Sequence, residues 1–287
     1  MSGPSRRPGL LPAWRFALGM LTVFPVRFGD VDREVAGRGM ALAPFAGMLV
    51  GLVSSAVLLL VSYASGSAPL ASVLAVASTA WLTRGLHLDG LADLADGLGS
   101  GKPAGPALDI MKKSDIGPFG VMTLVFTLLT QIAALSLVQR PGMPAIGPLA
   151  LVTSCTAGRL AVTWACRDGV PSARPGGLGA LVAGAVRRSW AVAATVVSAS
   201  VLGGAAWAAA HWAASPPGSD AGLRLRDTLG GPPATVAACL LAVGAGLAAA
   251  AVLRRRAVRR LGGVTGDVFG ALIETATTAA LLTWAVL

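Results

Sequence analysis

Seven long apolar runs dominate this chain, at about residues 41–63, 67–86, 119–139, 145–165, 189–212, 233–252 and 268–287. Each approaches the roughly 20 residues a helix needs to cross the hydrocarbon core of a bilayer. The expectation is an all-α polytopic membrane protein, a bundle of about seven helices with six to eight allowed. Hydrophobic residues make up 54% of the chain and charged ones 13%, against about 25% charged in ordinary soluble domains. Leu10 to Val26 is shorter and interrupted by Pro12, Arg15 and Pro25. It reads as an interfacial helix or an eighth element.

The runs are rich in Ala, Gly and Ser, which lets membrane helices pack closely. Gly47 with Gly51, and Gly244 with the alanines after it, are candidate contact points. Residues 1–287 read as one integral-membrane domain with a disordered tail over 1–9. Phe24-Pro-Val-Arg27 follows the first apolar segment where a small-residue cleavage site would stand, so no cleavable signal is expected.

Arginines and lysines collect on the cytoplasmic side of membrane proteins. Arg254, Arg255, Arg256, Arg259 and Arg260 anchor that choice, and with seven spans they place the N-terminus and residues 84–118 and 166–188 inside a bacterial cytoplasmic (inner) membrane. Anionic membrane lipid is a sufficient partner for most of the formal net charge of +10. Aromatics do not interleave with the basic residues, so nucleic acid is not expected. Cys155, Cys166 and Cys239 lack metal-ligand spacing and read as small buried hydrophobes.

The chemistry is concentrated in Leu86-His-Leu-Asp-Gly-Leu-Ala-Asp-Leu-Ala-Asp-Gly97. On a helix, Asp89, Asp93 and Asp96 share one face. Three like charges on one stripe repel, unless divalent cations sit between them. Oxygen-rich clusters suit Mg²⁺, usually in company with substrate phosphates. Alternatively the stretch is a solvated polar loop.

Other unusual polar residues fall on the same side. Met111-Lys-Lys-Ser-Asp-Ile-Gly-Pro-Phe-Gly120 offers Lys112 and Ser114 to phosphate oxygens, and Gly117 and Gly120 let backbone amides approach an anion. Lys112 and Lys113 are alternatively interfacial anchors. Arg159 lies inside an apolar span, where a charge marks a functional site unless it snorkels. Asp267 and Glu274 enter the last span seven residues apart, so both join the candidate metal ligands, Asp267 being alternatively a helix cap. His87 is open between a supporting hydrogen-bond donor, a general base and a plain interfacial residue. Acidic and basic groups gathered at one membrane surface match metal-assisted phosphoryl-type transfer, with Asp89, Asp93, Asp96, His87, Arg159 and Asp267 as the catalytic candidates.

These motifs resemble the cobalamin synthase family, the membrane-bound adenosylcobinamide-GDP ribazoletransferases. Residues 86–97 look like its carboxylate signature almost without change, and residues 263–274 look like its Gly-x-Thr-Gly-Asp-x-x-Gly-Ala-x-x-Glu signature. Residues 111–120 correspond to its Met-[Lys/Arg]-Asp-Ser-[Arg/His]-x-Gly-x-x-Gly segment, and Gly158-Arg159 matches an arginine position of the family. Here the charges flanking Ser114 are exchanged, with Lys113 before it and Asp115 after. The resemblance implies transfer of adenosylcobinamide phosphate from adenosylcobinamide-GDP to α-ribazole or α-ribazole 5′-phosphate, with release of GMP and Mg²⁺ as cofactor. Two other readings share some features. CDP-alcohol phosphotransferases also cluster aspartates on membrane helices, but their Asp-Gly-x-x-Ala-Arg pattern finds no arginine after Asp89-Gly-Leu-Ala. A transporter would also carry intramembrane charge.

Overall fold

The computed structural model describes residues 9–27, 29, 31–139, 143–214 and 231–287. Apart from Gly9, the tail expected over residues 1–9 lies outside the described residues. Those residues form helices α1 (Leu10–Leu21), α2 (Arg33–Ser65), α3 (Ala68–Leu82), α4 (Leu86–Gly99), α5 (Ala104–Ile110) and α6 (Pro118–Val138). Then come α7 (Ile146–Ala165), α8 (Gly177–Val182), α9 (Arg188–Ala214), α10 (Pro232–Leu261) and α11 (Gly266–Val286). Two isolated β-bridges, Arg167 with Val186 and Ser172 with Val264, are the extended pairings among the described residues.

Six helices are long and apolar enough to cross a membrane: α2, α6, α7, α9, α10 and α11. The chain is therefore an all-α polytopic membrane protein. The seventh expected run, 67–86, contains the 15-residue α3, about 22 Å long and short of a full hydrocarbon core. The expected run extends through Thr83-Arg84-Gly85, but the helix does not: Arg84 and Gly85 both adopt positive φ, 56° and 68°. The turn is tied to the end of α1, where Val23 N–H donates to Leu82 O at 2.8 Å and Arg84 Nη2 to Gly19 O at 3.2 Å. Helix α1 has 12 residues, about 18 Å, which rules out a full crossing. It buries Ala13, Phe16, Ala17 and Leu21 while Leu10, Leu11 and Arg15 stay exposed.

Helix α7 is the central post, packed by α2, α9, α10 and α11. Small residues permit this. A β-carbon on Gly47 would lie 2.4 Å from Cys155 O, and one on Gly51 would lie 2.7 Å from Val152 Cα, so α2 and α7 meet where the sequence suggested. The α10–α11 approach uses Gly246, 2.8 Å from Ala276 O on the same construction, whereas Gly244 faces open space. All three cysteines are free and buried. Outward faces carry large apolar side chains, such as Val121, Val125 and Leu129 on α6 and Val192, Val196 and Val201 on α9. Such faces suit hydrocarbon rather than water.

Two buried clusters fill the bundle. One, around Phe16, Met40, Leu94, Leu261 and Leu272, underlies the end that carries α4, α8 and the loops between α7, α9, α10 and α11. The other, around Leu58, Leu135, Leu151, Leu202 and Leu281, fills the opposite half. The candidate site stands above the first.

Candidate active site

Helix α4 crosses the first turns of α11 at two glycines. A β-carbon on Gly90 would lie 2.7 Å from Asp267 O, and one on Gly270 would lie 2.9 Å from His87 O. Backbone thus meets backbone, and carboxylates from both helices are brought together. Thr265 starts α11 by accepting from Val268 N–H at 3.2 Å and also donates to Asp267 Oδ2 at 3.2 Å. Thr265 is therefore the cap, which leaves Asp267 in the first turn for other work.

Asp89 is exposed, while Asp93 and Asp267 are half-buried. The Asp93 carboxyl is pushed up to about 6, first by burial and then by the negative charges of Asp89, Asp267 and Asp96, with Arg174 opposing. Asp89, Asp93 and Asp267 thus form one electrostatic unit drawn from two helices.

Asp96, a candidate ligand by its spacing, is engaged elsewhere. Its side chain is 8% exposed and accepts from Gly117 N–H at 2.7 Å and Gly120 N–H at 3.0 Å. Those amides open α6, whose first residue is Pro118. The carboxylate is the anion that satisfies otherwise orphaned donors of that helix start. The glycines leave it room, since a β-carbon at either position would come within 2.5 Å of an Asp96 oxygen. The anion expected beside Gly117 and Gly120 is internal to the protein.

Glu274 also stands apart from the carboxylate set, two turns further along α11. It accepts from Gln131 Nε2 at 2.8 Å, and Gln131 donates as well to Thr278 Oγ1 at 3.0 Å. Arg159, 3% exposed, does not snorkel. Its Nη2 is 3.5 Å from His87 Nδ1, its Nη1 donates to Cys155 O at 3.5 Å, and its Nε is buried without a partner among the described residues. Glu274 lies within electrostatic reach of the same guanidinium. The buried His87, Arg159 and Gln131, with the partly buried Glu274, therefore make a polar layer beneath the aspartates, joining α4, α6, α7 and α11. Glu274 is partly buried and bonded to Gln131, and Arg159 is buried and turned toward His87, so the structure places both in this layer rather than beside Asp89, Asp93 and Asp267.

Lys112, Lys113, Ser114 and Asp115 are exposed between α5 and α6. Lys112 pairs with Asp109 at 3.7 Å on the surface, and neither Lys112 nor Ser114 is bonded to the aspartates. The cation that faces the carboxylates is Arg174, which sequence reading missed. It sits in the loop 166–176 with its guanidinium fixed by a 2.6 Å hydrogen bond from Nη2 to Leu108 O. Its electrostatic neighbours include Asp93 and Asp267. The available signal was an arginine opening the glycine run Arg174-Pro-Gly-Gly-Leu-Gly179 on the same side of the bundle as the aspartates.

Among the described residues no three His, Cys, Asp or Glu side chains form a ready-made metal cage. The donor set suits a different mode. Mg²⁺ is commonly held by one or two carboxylates, its remaining positions being water and substrate phosphate. Asp89, Asp93 and Asp267 supply hard oxygen donors, and a divalent cation would relieve their mutual repulsion at Asp93.

The family model for cobalamin-5-phosphate synthase matches residues 13–285. A protein of Frankia casuarinae named adenosylcobinamide-GDP ribazoletransferase is 41% identical over 94% of this chain and 93% of its own. Proteins of the same name from a Nocardioides species and from Bradyrhizobium diazoefficiens are 38% and 36% identical. They cover 95% and 91% of this chain, and 98% and 88% of their own lengths. No solved structure matches the chain. With a family match running almost end to end and relatives this similar over nearly their full lengths, the chain belongs to the cobalamin-5-phosphate synthase family.

Proposed function

We propose that this chain is a Mg²⁺-dependent adenosylcobinamide-GDP ribazoletransferase, joining adenosylcobinamide phosphate to α-ribazole and releasing GMP at the cytoplasmic face of the membrane. The observation that carries the mechanism is the α4–α11 crossing, which sets Asp89 and Asp93 opposite Asp267. The five arginines between Arg254 and Arg260, at the end of α10 beside this site, favour the cytoplasmic orientation.

In the transfer, a free ribose hydroxyl oxygen of the ribazole forms a bond to the phosphorus that carries the cobinamide. The bond from that phosphorus to the GMP oxygen breaks, the electron pair leaves with GMP, and the hydroxyl proton is released. Asp89, Asp93 and Asp267 would hold Mg²⁺, which supplies polarisation of the diphosphate and neutralises its developing charge. The released proton would pass to a carboxylate oxygen of Asp89, Asp93 or Asp267. His87 is buried and turned toward Arg159, so its part is to hold α4 in place.

The test is purified protein in detergent with adenosylcobinamide-GDP, α-ribazole and Mg²⁺, followed by chromatography for adenosylcobalamin and GMP. Stoichiometric products are expected, abolished by EDTA and reduced at least about 100-fold in Asp267→Asn. A folded protein that makes neither product, and instead releases CMP from a CDP-alcohol, would overturn the assignment.

A further inference from the structure

Between the loop 172–179 and the entry to α11 lies a cavity of about 210 Å³, lined by Ser172, Arg174, Gly177, Gly179, Thr265 and Asp267 among others. The loop and the α11 entry are locked together. Ser172 bridges Val264, Ala173 N–H donates to Val264 O at 3.0 Å, and a β-carbon on Gly263 would lie 2.4 Å from the Ser172 carbonyl carbon. The walls are therefore set by backbone. A wider, open cavity of about 730 Å³ adjoins on the other side and shares Ser172 and Arg174.

Arg174 is under-used by the protein. Among the described residues one of its several donors is bonded, Nη2 to Leu108 O, and the Nε is buried with no partner. It is close enough to Asp93 and Asp267 to influence both, yet among the described residues it forms an ion pair with neither. A guanidinium held near two carboxylates but out of contact leaves space for something between them. An oxyanion bridging arginine on one side and carboxylate-bound cation on the other balances that charge arrangement. Arginine is the side chain best shaped for phosphate oxygens.

We propose that this cavity is a diphosphate subsite in which Arg174 binds the oxygens of the phosphate that departs with the nucleotide. The inference rests on the transferase reading, and it gives to Arg174 the phosphate-binding role that Arg159 is buried too deeply to play.

The test uses the full chain in detergent, with inorganic pyrophosphate and Mg²⁺ as the calorimetric probe and the transfer assay beside it. Arg174→Ala is expected to weaken pyrophosphate binding at least about 10-fold and to raise KM for the diphosphate substrate, with KM for α-ribazole unchanged. Arg174→Lys, which keeps the charge and the fold but loses the planar fork, should fall between. Wild-type pyrophosphate affinity in both variants, or no pyrophosphate binding by wild-type protein, overturns the subsite. If wild-type protein lacks transferase activity yet binds pyrophosphate through Arg174, the subsite stands and the transferase reading fails. If it is active and Arg174→Ala matches it in every constant, the subsite fails and the reading stands.

Discussion

Gly90 and Asp267 touch through their backbones: a β-carbon on Gly90 would lie 2.7 Å from Asp267 O and 2.8 Å from Asp267 Cα. Nothing flexible lies between them to give way. Gly90→Ala must therefore push α4 from α11 and separate Asp89 and Asp93 from Asp267. Overpacking of this kind costs about 1–3 kcal/mol, and misplacing catalytic groups by about an ångström reduces rate by about 100-fold. We expect lower thermal stability and a fall in kcat of that order. Gly244→Ala, where open space surrounds the position, is the matched control. Equal activity in the two variants would show that the crossing does not set the site.

Asp96 separates two roles that share one face of α4. As the anion at the start of α6 it contributes about 1 kcal/mol, the usual scale for such caps. Asp96→Asn keeps an acceptor for one of Gly117 and Gly120 and turns a donor toward the other. The expected result is a lower unfolding temperature with Mg²⁺ affinity close to wild type, read by titrating Mg²⁺ against thermal unfolding. A metal ligand would behave in the opposite way, losing Mg²⁺ affinity with little change in the metal-free protein.

Orientation is tested by single-cysteine variants. Lys102 and Arg256 lie at the site end, where Arg260 Nη2 donates to Lys102 O at 3.3 Å. Cysteines there should resist an impermeant thiol reagent in intact cells and react after the membrane is opened. A cysteine at Ser219, between α9 and α10, should react from outside. The native Cys155, Cys166 and Cys239 are buried and give a low background. Labelling of all three positions from outside would defeat the cytoplasmic site.

Much of the architecture was legible because apolar length is a strong signal. The six long helices coincide with predicted runs, and Gly47 and Gly51 mark a true helix contact. The run expected over 67–86 holds an apolar helix that is shorter, Ala68–Leu82, because hydropathy does not register the left-handed turn at Arg84-Gly85 that follows α3. The carboxylate face was legible from spacing, but spacing places residues on one helix and says nothing of what that face meets. Asp96 lies far enough along α4 to face α6 rather than α11, and Glu274 lies deep enough in α11 to face Gln131. Arg174 was invisible for a related reason. It stands in a loop without periodicity, and its importance comes from the pairing of Ser172 with Val264 across long sequence separation.

Asp93 provides a pH signature that depends on the carboxylate cluster. Its carboxyl is raised from an ordinary value of 3.8 to about 6 in the folded protein. The folded state therefore binds a proton that the unfolded state releases throughout that interval. By linkage, stability rises as pH falls through about 6 toward 4, and it is lost as pH rises. In EDTA, acidifying from pH 8 to 5 should raise the unfolding temperature, and Asp93→Asn should flatten that dependence. Saturating Mg²⁺ at pH 8 should raise the unfolding temperature and also flatten the profile, since a bound cation neutralises the same repulsion that the proton relieves. Acidification that changes wild type and Asp93→Asn alike, with no response to Mg²⁺, would show that the aspartates do not act as one charged unit.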